Sequence, residues 1–205
     1  MLYAFGFERV GVVVGDLYFV DPKPMKGQEG AEHGVRLELR VLERGPLLGS
    51  IYSAQPIAVG RPVWRADFLE SVDGKPGSFD RTHHHPVFRE WDPSSRVFAR
   101  ELSADPMGWL GGKLKDLDAL LAEAGFPAET AGPDDANDLR DATPEIVDAT
   151  RRLLDKVRSG ELGNPPSLGE SAEAGSAQAG SAEAGSAEAG SAEAGEPVLV
   201  RSGWL

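Results

Sequence analysis

The chain has 205 residues, a formal net charge of −12, four histidines and no cysteine. The absence of cysteine excludes disulfide bonds and thiolate metal sites, and the acidic composition disfavours non-specific binding of nucleic acid, which needs positive charge to meet phosphates. No apolar run approaches the roughly 18 residues of a membrane span, and the first residues lack the pattern of a secretory signal. We therefore expect a cytoplasmic protein without a membrane partner.

The composition divides the chain into three parts. Residues 1–160 have the size and apolar content of one globular domain. Residues 161–195 are dominated by Ser-Ala-Glu-Ala-Gly repeats, whose period fits neither a helix face nor a strand face, so we expect a disordered linker. Residues 196–205 turn apolar again and end in Trp-Leu. We expect them to bind an unidentified protein partner, as in an adaptor or cargo protein; docking onto the domain's own sheet and a frayed end are the alternatives.

The first hundred residues carry the patterns of β-strands. Valines alternate over 10–14, and Gly15-Asp16 then precedes the apolar run 17–20, which predicts a β-hairpin with a two-residue turn. Residues 22–34 read as a polar loop. Apolar and charged residues alternate over 35–41, which predicts a strand whose charged face either meets solvent or lines a cleft. Further strands are expected within 47–59, over 63–70 and over 96–100.

Helical patterns follow residue 100. Asp105 and Pro106 are typical of a helix start. Leucines at 110, 114, 117 and 121 form an apolar stripe, which the glycines at 111 and 112 could divide, and Gly125 is a natural end. Residues 127–142 read as a loop, and a second helix is expected from Thr143 to Gly160. Strands followed by helices predict an α+β fold: an antiparallel sheet or open barrel, two packed helices, then a disordered tail.

The chemistry is concentrated in residues 80–86, Asp-Arg-Thr-His-His-His-Pro. In an extended segment His83 and His85 point to the same side and can chelate one ion, while His84 points to the other. Imidazole suits zinc, iron, nickel or copper, and a carboxylate would complete the set. The candidate carboxylates are Glu90, Asp80 and Asp67. The expected cofactor is a divalent transition metal (Zn, Fe, Ni or Mn), with His83, His85 and Glu90 as its first candidate ligands.

Two further interpretations use the same residues. One is a metal-free acid–base site like that of a ribonuclease or toxin, because histidine titrates near neutral pH. Its candidate catalytic residues are His83, His85, Arg81 and Asp80. The charged residues expected to flank the site and bind a ligand are Arg36, Arg65 and Asp67. The other interpretation is a polar strand end whose histidines are hydrogen-bonded by neighbouring acids.

Two family resemblances accompany these residues. Gly77, His83-x-His85 and Glu90 resemble the first cupin motif, which implies a β-barrel and a metal held by two histidines, a glutamate and a later histidine. The chain departs from that motif, since Val97 replaces its second glycine and no histidine follows His85. The charged strands and the His-x-His also resemble a His-rich β-domain family of high-G+C Gram-positive bacteria. Some members of the wider group look like toxins of toxin–antitoxin pairs, which implies a nuclease but no mechanism.

Overall fold

The computed structural model describes residues 1–166. Nearly all of the predicted 161–195 linker, and all of the predicted 196–205 peptide, lie outside the described residues. Within them the fold is α+β, as predicted: an antiparallel sheet comes first and helices follow. Among the described residues, no helix is both long and apolar enough to cross a membrane.

The sheet has five strands that are adjacent in the order in which they occur along the chain. They are β1 (Leu2–Gly6), β2 (Val10–Val20), β3 (Ala31–Arg44), β4 (Ile57–Ser71) and β5 (His83–His85). Every neighbouring pair is antiparallel, so the sheet is a simple meander with β1 and β5 at its edges. A two-stranded hairpin, β6 (Phe88–Arg89) and β7 (Asp92–Pro93), follows β5.

The predicted hairpin over residues 10–20 is wrong, because this segment is one uninterrupted strand. Gly15 pairs with Leu2 at the end of the β1–β2 ladder and with Arg36 in the middle of the β2–β3 ladder. A Cβ at residue 15 would lie 3.2 Å from the Leu2 side chain. The glycine therefore does not mark a turn; it leaves room for the Leu2 side chain of the neighbouring strand.

Three other strand boundaries differ from the predictions. β3 starts four residues before 35, and the only strand residues within 47–59 belong to the start of β4. The predicted strand over 96–100 is wrong: Val97 makes a single bridge to His84, and Arg100 already begins a helix. The β-like composition of this short segment could not show that its backbone forms no continuous ladder with a neighbouring strand.

The described residues contain four α-helices where two were predicted, and the first of them lies ahead of the predicted start at Asp105. They are α1 (Arg100–Ala104), α2 (Pro106–Leu114), α3 (Leu117–Ala124) and α4 (Asp135–Arg158). Asp105 caps α2 as predicted, accepting a hydrogen bond from the Gly108 N–H at 3.0 Å. The stripe divides at Asp116, which caps α3 through the Ala119 N–H, and not at the glycines. The backbone leaves α3 at Gly125 in the left-handed conformation, as predicted.

Helix α4 starts eight residues earlier than the predicted start at Thr143. The reason is Asp135, whose buried carboxylate accepts the N–H groups of Gly132, Glu8 and Arg9 at 2.7, 2.7 and 3.1 Å. These bonds attach the first turn of α4 to the β1–β2 connection. Pro144, which sequence alone suggests as a helix start, lies inside the helix.

The helices cover one face of the sheet and leave the other for the site. The covered face carries alternate apolar residues of the long strands, which pack against the leucine stripe and α4; the largest are Leu37, Leu39, Trp64 and Phe68. Burial of each such side chain contributes about 1.5–3 kcal/mol. Because strand residues alternate between faces, the intervening Arg36, Arg65 and Asp67 lie on the opposite face.

Candidate metal centre

Strand register brings two histidines next to an aspartate. In the β4–β5 ladder His83 pairs with Asp67, and His85 pairs with Arg65. Paired residues point to the same side of a sheet, so these four side chains lie together on the face that the helices leave open. His84 pairs with Ala66 and points into the helix-covered face.

The ligand atoms of Asp67, His83 and His85 converge on one point. Oδ2 of Asp67 lies 3.3 Å from Nε2 of His83 and 3.6 Å from Nε2 of His85. One ligand atom from each of the three residues lies within 4.8 Å of the other two. The three residues are 1 %, 1 % and 4 % exposed respectively, so water screens this group little.

Backbone carbonyls set the orientation of both imidazoles. Nδ1 of His83 lies 2.7 Å from the carbonyl oxygen of Arg81, and Nδ1 of His85 is hydrogen-bonded to the carbonyl oxygen of Ser94. A carbonyl can only accept, so each Nδ1 carries the hydrogen and each neutral ring presents its Nε2 lone pair. Histidine ligands of metals are commonly oriented in this way. Two lone pairs facing a carboxylate repel it unless a proton or a cation lies between them.

Two arginines hold the carboxylate from its other side. Arg36 donates from Nε to Oδ1 of Asp67 at 2.8 Å and from Nη2 to Oδ2 at 3.3 Å. Nε of Arg65 lies 3.1 Å from Oδ2, although without the alignment of a hydrogen bond. Burial alone raises the pKa of Asp67. Hydrogen bonds from His83 and His85, which require a second proton on each ring at Nε2, and the charge of Arg36 outweigh burial and hold this pKa well below its ordinary value.

The cluster opens into a cavity of about 310 Å³. Its walls combine site residues with residues from the connections around them: Phe19, Asp21, Arg36, Arg65, Asp67, Leu69, His83, His85, Pro93 and Arg96. The Phe98 ring packs on His83 with 5.5 Å between centroids. A small molecule could therefore reach the converging ligand atoms from this side.

The other residues predicted for the site lie elsewhere. The Asp80 carboxylate accepts hydrogen bonds from Ser71 and Ser78 in the turn before β5. The Arg81 side chain binds the carbonyls of Gly27 and Glu29, and only its backbone carbonyl meets His83. Glu90 is exposed in the β6–β7 turn with φ +57°. Asp67, and neither Asp80 nor Glu90, joins the histidines in the group of ligand atoms.

Sequence reasoning missed Arg96 and Glu32. Arg96 donates from Nη1 to Glu32 at 2.8 Å and to Gln28 at 3.2 Å, and it lines the cavity. Glu32 is almost fully buried, although it lies in a segment that reads as a polar loop. A charged pair 64 residues apart has no local signal; only the folded sheet shows it.

His84 belongs to a separate aromatic cluster. Its ring centroid lies 6.2 Å from that of Trp64 and 5.2 Å from that of Trp109. Burial lowers the pKa of His84 to about 4, and the nearby charge of Lys113 also lowers it, although Glu123 opposes this shift. His84 is therefore neutral at pH 7 and serves the core rather than the candidate metal centre.

No protein-family model, curated protein or solved structure matches this chain. The resemblances to the cupin motif and to a bacterial His-rich family therefore stay predictions.

Proposed function

We propose that Asp67, His83 and His85 bind one divalent transition metal ion. The observation that carries this proposal is the spacing of 3.3 and 3.6 Å between Oδ2 of Asp67 and the two Nε2 atoms. In a tetrahedral site with metal–ligand distances of about 2.1 Å, any two ligand atoms are about 3.4 Å apart. The two distances from Asp67 therefore match two edges of such a site, and the ligand atoms of the two histidines lie within 4.8 Å of each other.

The donor set favours a catalytic over a structural ion. Two imidazole nitrogens and one carboxylate oxygen suit zinc, iron, nickel or manganese. Three protein ligands leave at least one coordination position open, as in catalytic sites, and here that position adjoins the cavity. An ion held there would supply a Lewis acid and lower the pKa of a bound water.

Metal titration of the untagged protein tests the proposal, since an affinity tag of histidines would itself bind metal. We expect one zinc or cobalt ion per chain by calorimetry and by elemental analysis. His83→Ala should lower the affinity at least 10-fold, because it removes one of three ligands. The matched control is His33→Ala, since His33 lies on β3 and pairs with Glu70, outside the cluster. Binding well below one ion per chain, or equal binding by His83→Ala, would contradict the proposal.

A metal-free acid–base site is the second candidate function. It is favoured by the arginines, because a carboxylate already held by Arg36 and Arg65 can orient an imidazolium at His83, 3.3 Å away, without any ion. Such a site would cleave or isomerise its substrate equally well with and without a chelator. Hydrolysis of an RNA oligonucleotide that survives chelation and is lost in His83→Ala would favour this candidate over the metal.

A further inference from the structure

A bound metal would give the cavity beside the candidate metal centre excess positive charge. Three arginines line the cavity, at 36, 65 and 96, and they are balanced by Asp21 and Asp67 in the lining and by Glu32, which binds Arg96. The whole chain, by contrast, has a net charge of −12. A divalent ion on Asp67 would add two further positive charges to the same small space. A bound anion would neutralise this charge most directly.

Arg65 differs from the other arginines of this sheet face in its free hydrogen-bonding capacity. Arg36 donates twice to Asp67, and Arg40 uses three nitrogens to bind Glu38 and the Gly60 carbonyl. Among residues 1–166, the one carboxylate within 4 Å of the Arg65 guanidinium is Asp67, which lies near Nε, and neither Nη atom donates a hydrogen bond to the protein. The side chain is 12 % exposed; Nε is buried without a hydrogen-bond partner, whereas the Nη atoms keep access to solvent.

The position of the Arg65 guanidinium is set by its surroundings. It lies 5.8 Å from the Phe88 ring, and its residue pairs with His85 in the sheet. A planar guanidinium with a free edge matches the two oxygens of a carboxylate or a phosphate group. Arg65 and the candidate metal ligands line the same cavity.

We infer that the cavity binds a small substrate through a carboxylate or phosphate group, which Arg65 holds next to the metal. This inference rests on the proposed metal site and specifies its substrate class. One oxygen of the group takes the open coordination position, and the others accept hydrogen bonds from Arg65. A cavity of about 310 Å³ lies at the small end of ligand sites, which favours a small organic acid or phosphate ester over a polymer.

Cobalt-loaded protein provides the test, since the visible spectrum of Co²⁺ changes when an anion enters its coordination sphere. Cobalt affinity is measured first for every variant. Inorganic phosphate and acetate are then titrated separately, which distinguishes the two kinds of oxyanion. We expect saturable spectral changes with at least one of them. Arg65→Gln should weaken this binding about 10-fold or more. Arg65→Lys, which keeps the charge but not the planar fork, should restore part of it.

The control is Arg40→Gln, since Arg40 lies on the same face of β3 and outside the cavity lining. It should leave anion affinity unchanged. If Arg65→Gln and the unsubstituted protein both bind cobalt and have equal affinity for the anion, the inference about Arg65 is wrong and the metal site is unaffected. If cobalt binds but neither anion changes the spectrum, the inference is likewise wrong and the metal site is unaffected. Failure to bind cobalt overturns the proposed function, and this inference with it.

Discussion

Asp67→Asn is the most informative single substitution, because it keeps the shape of the side chain and removes its charge. Asp67 is 1 % exposed and is the only carboxylate within 4 Å of both Arg36 and Arg65 among the described residues. Without this charge, two guanidiniums and two imidazoles would face one another with no anion between them. We therefore expect a loss of stability even in protein that carries no metal.

The size of the loss follows from the burial of the three side chains. Removing one partner of a buried ion pair costs about 3–5 kcal/mol, much of it from the charge left unpaired. Arg65 is 12 % exposed and Arg36 is 31 % exposed, so water can solvate Arg36 in part. The asparagine oxygen can also still accept one hydrogen bond. We therefore expect the free energy of unfolding to fall by about 3 kcal/mol, the lower end of that range.

Urea unfolding at pH 7 in the presence of a chelator measures this change, with tryptophan fluorescence as the signal from buried Trp64. The control is Asp148→Asn, which removes an exposed ion pair with Arg151 and should cost less than about 0.5 kcal/mol. If Asp67→Asn lowers the free energy of unfolding no more than Asp148→Asn does, the two arginines do not depend on the charge of Asp67.

Acid provides a second signature of the same residue. The pKa of Asp67 is depressed in the folded protein, so the unfolded state takes up the proton first as pH falls. Its stabilisation is complete above its unfolded pKa of about 4 and is lost as pH falls through the lower folded pKa. The difference in stability between the unsubstituted protein and Asp67→Asn should therefore shrink below about pH 4. A constant difference would mean that Asp67 does not titrate as its contacts require.

Three other predictions concern the framework around the site. His84 has a folded pKa of about 4, below its ordinary value of 6.5, so its contribution to the stability of the fold is complete above pH 6.5 and is lost towards pH 4. Between pH 7.5 and 4.5, the free energy of unfolding measured in urea should therefore fall by about 2–3 kcal/mol more for the unsubstituted protein than for His84→Phe. Pro144→Ala should raise the free energy of unfolding by about 1–3 kcal/mol, because it restores an N–H inside α4 and replaces a residue that disfavours a helix interior. An unchanged urea midpoint would contradict this. Asp135→Ala should cost at least about 3 kcal/mol in the same assay, because three N–H groups lose their acceptor, while Asp138→Ala on the exposed side of α4 should cost under about 1 kcal/mol.

The sequence alone predicted the features that depend on local periodicity. Alternation over 35–41 predicted a strand with a buried and a charged face, and the spacing of the leucines predicted the helical stripe. The same alternation placed His83 and His85 on one side and His84 on the other. These predictions succeed because side chains in a strand repeat every two residues and those in a helix every 3.6, whatever lies around them.

Only the tertiary structure decided which carboxylate joins the histidines. The sequence predicted Glu90 as the first candidate, with Asp80 and Asp67 as alternatives, but the β4–β5 register selects Asp67, which lies 16 residues before His83. Pairing register depends on how the whole sheet packs on its helices, and no short-range pattern encodes it. For the same reason the early start of α4 could not be predicted. The Asp135 carboxylate that fixes this start accepts N–H groups of Glu8 and Arg9, which lie more than 120 residues earlier in the sequence.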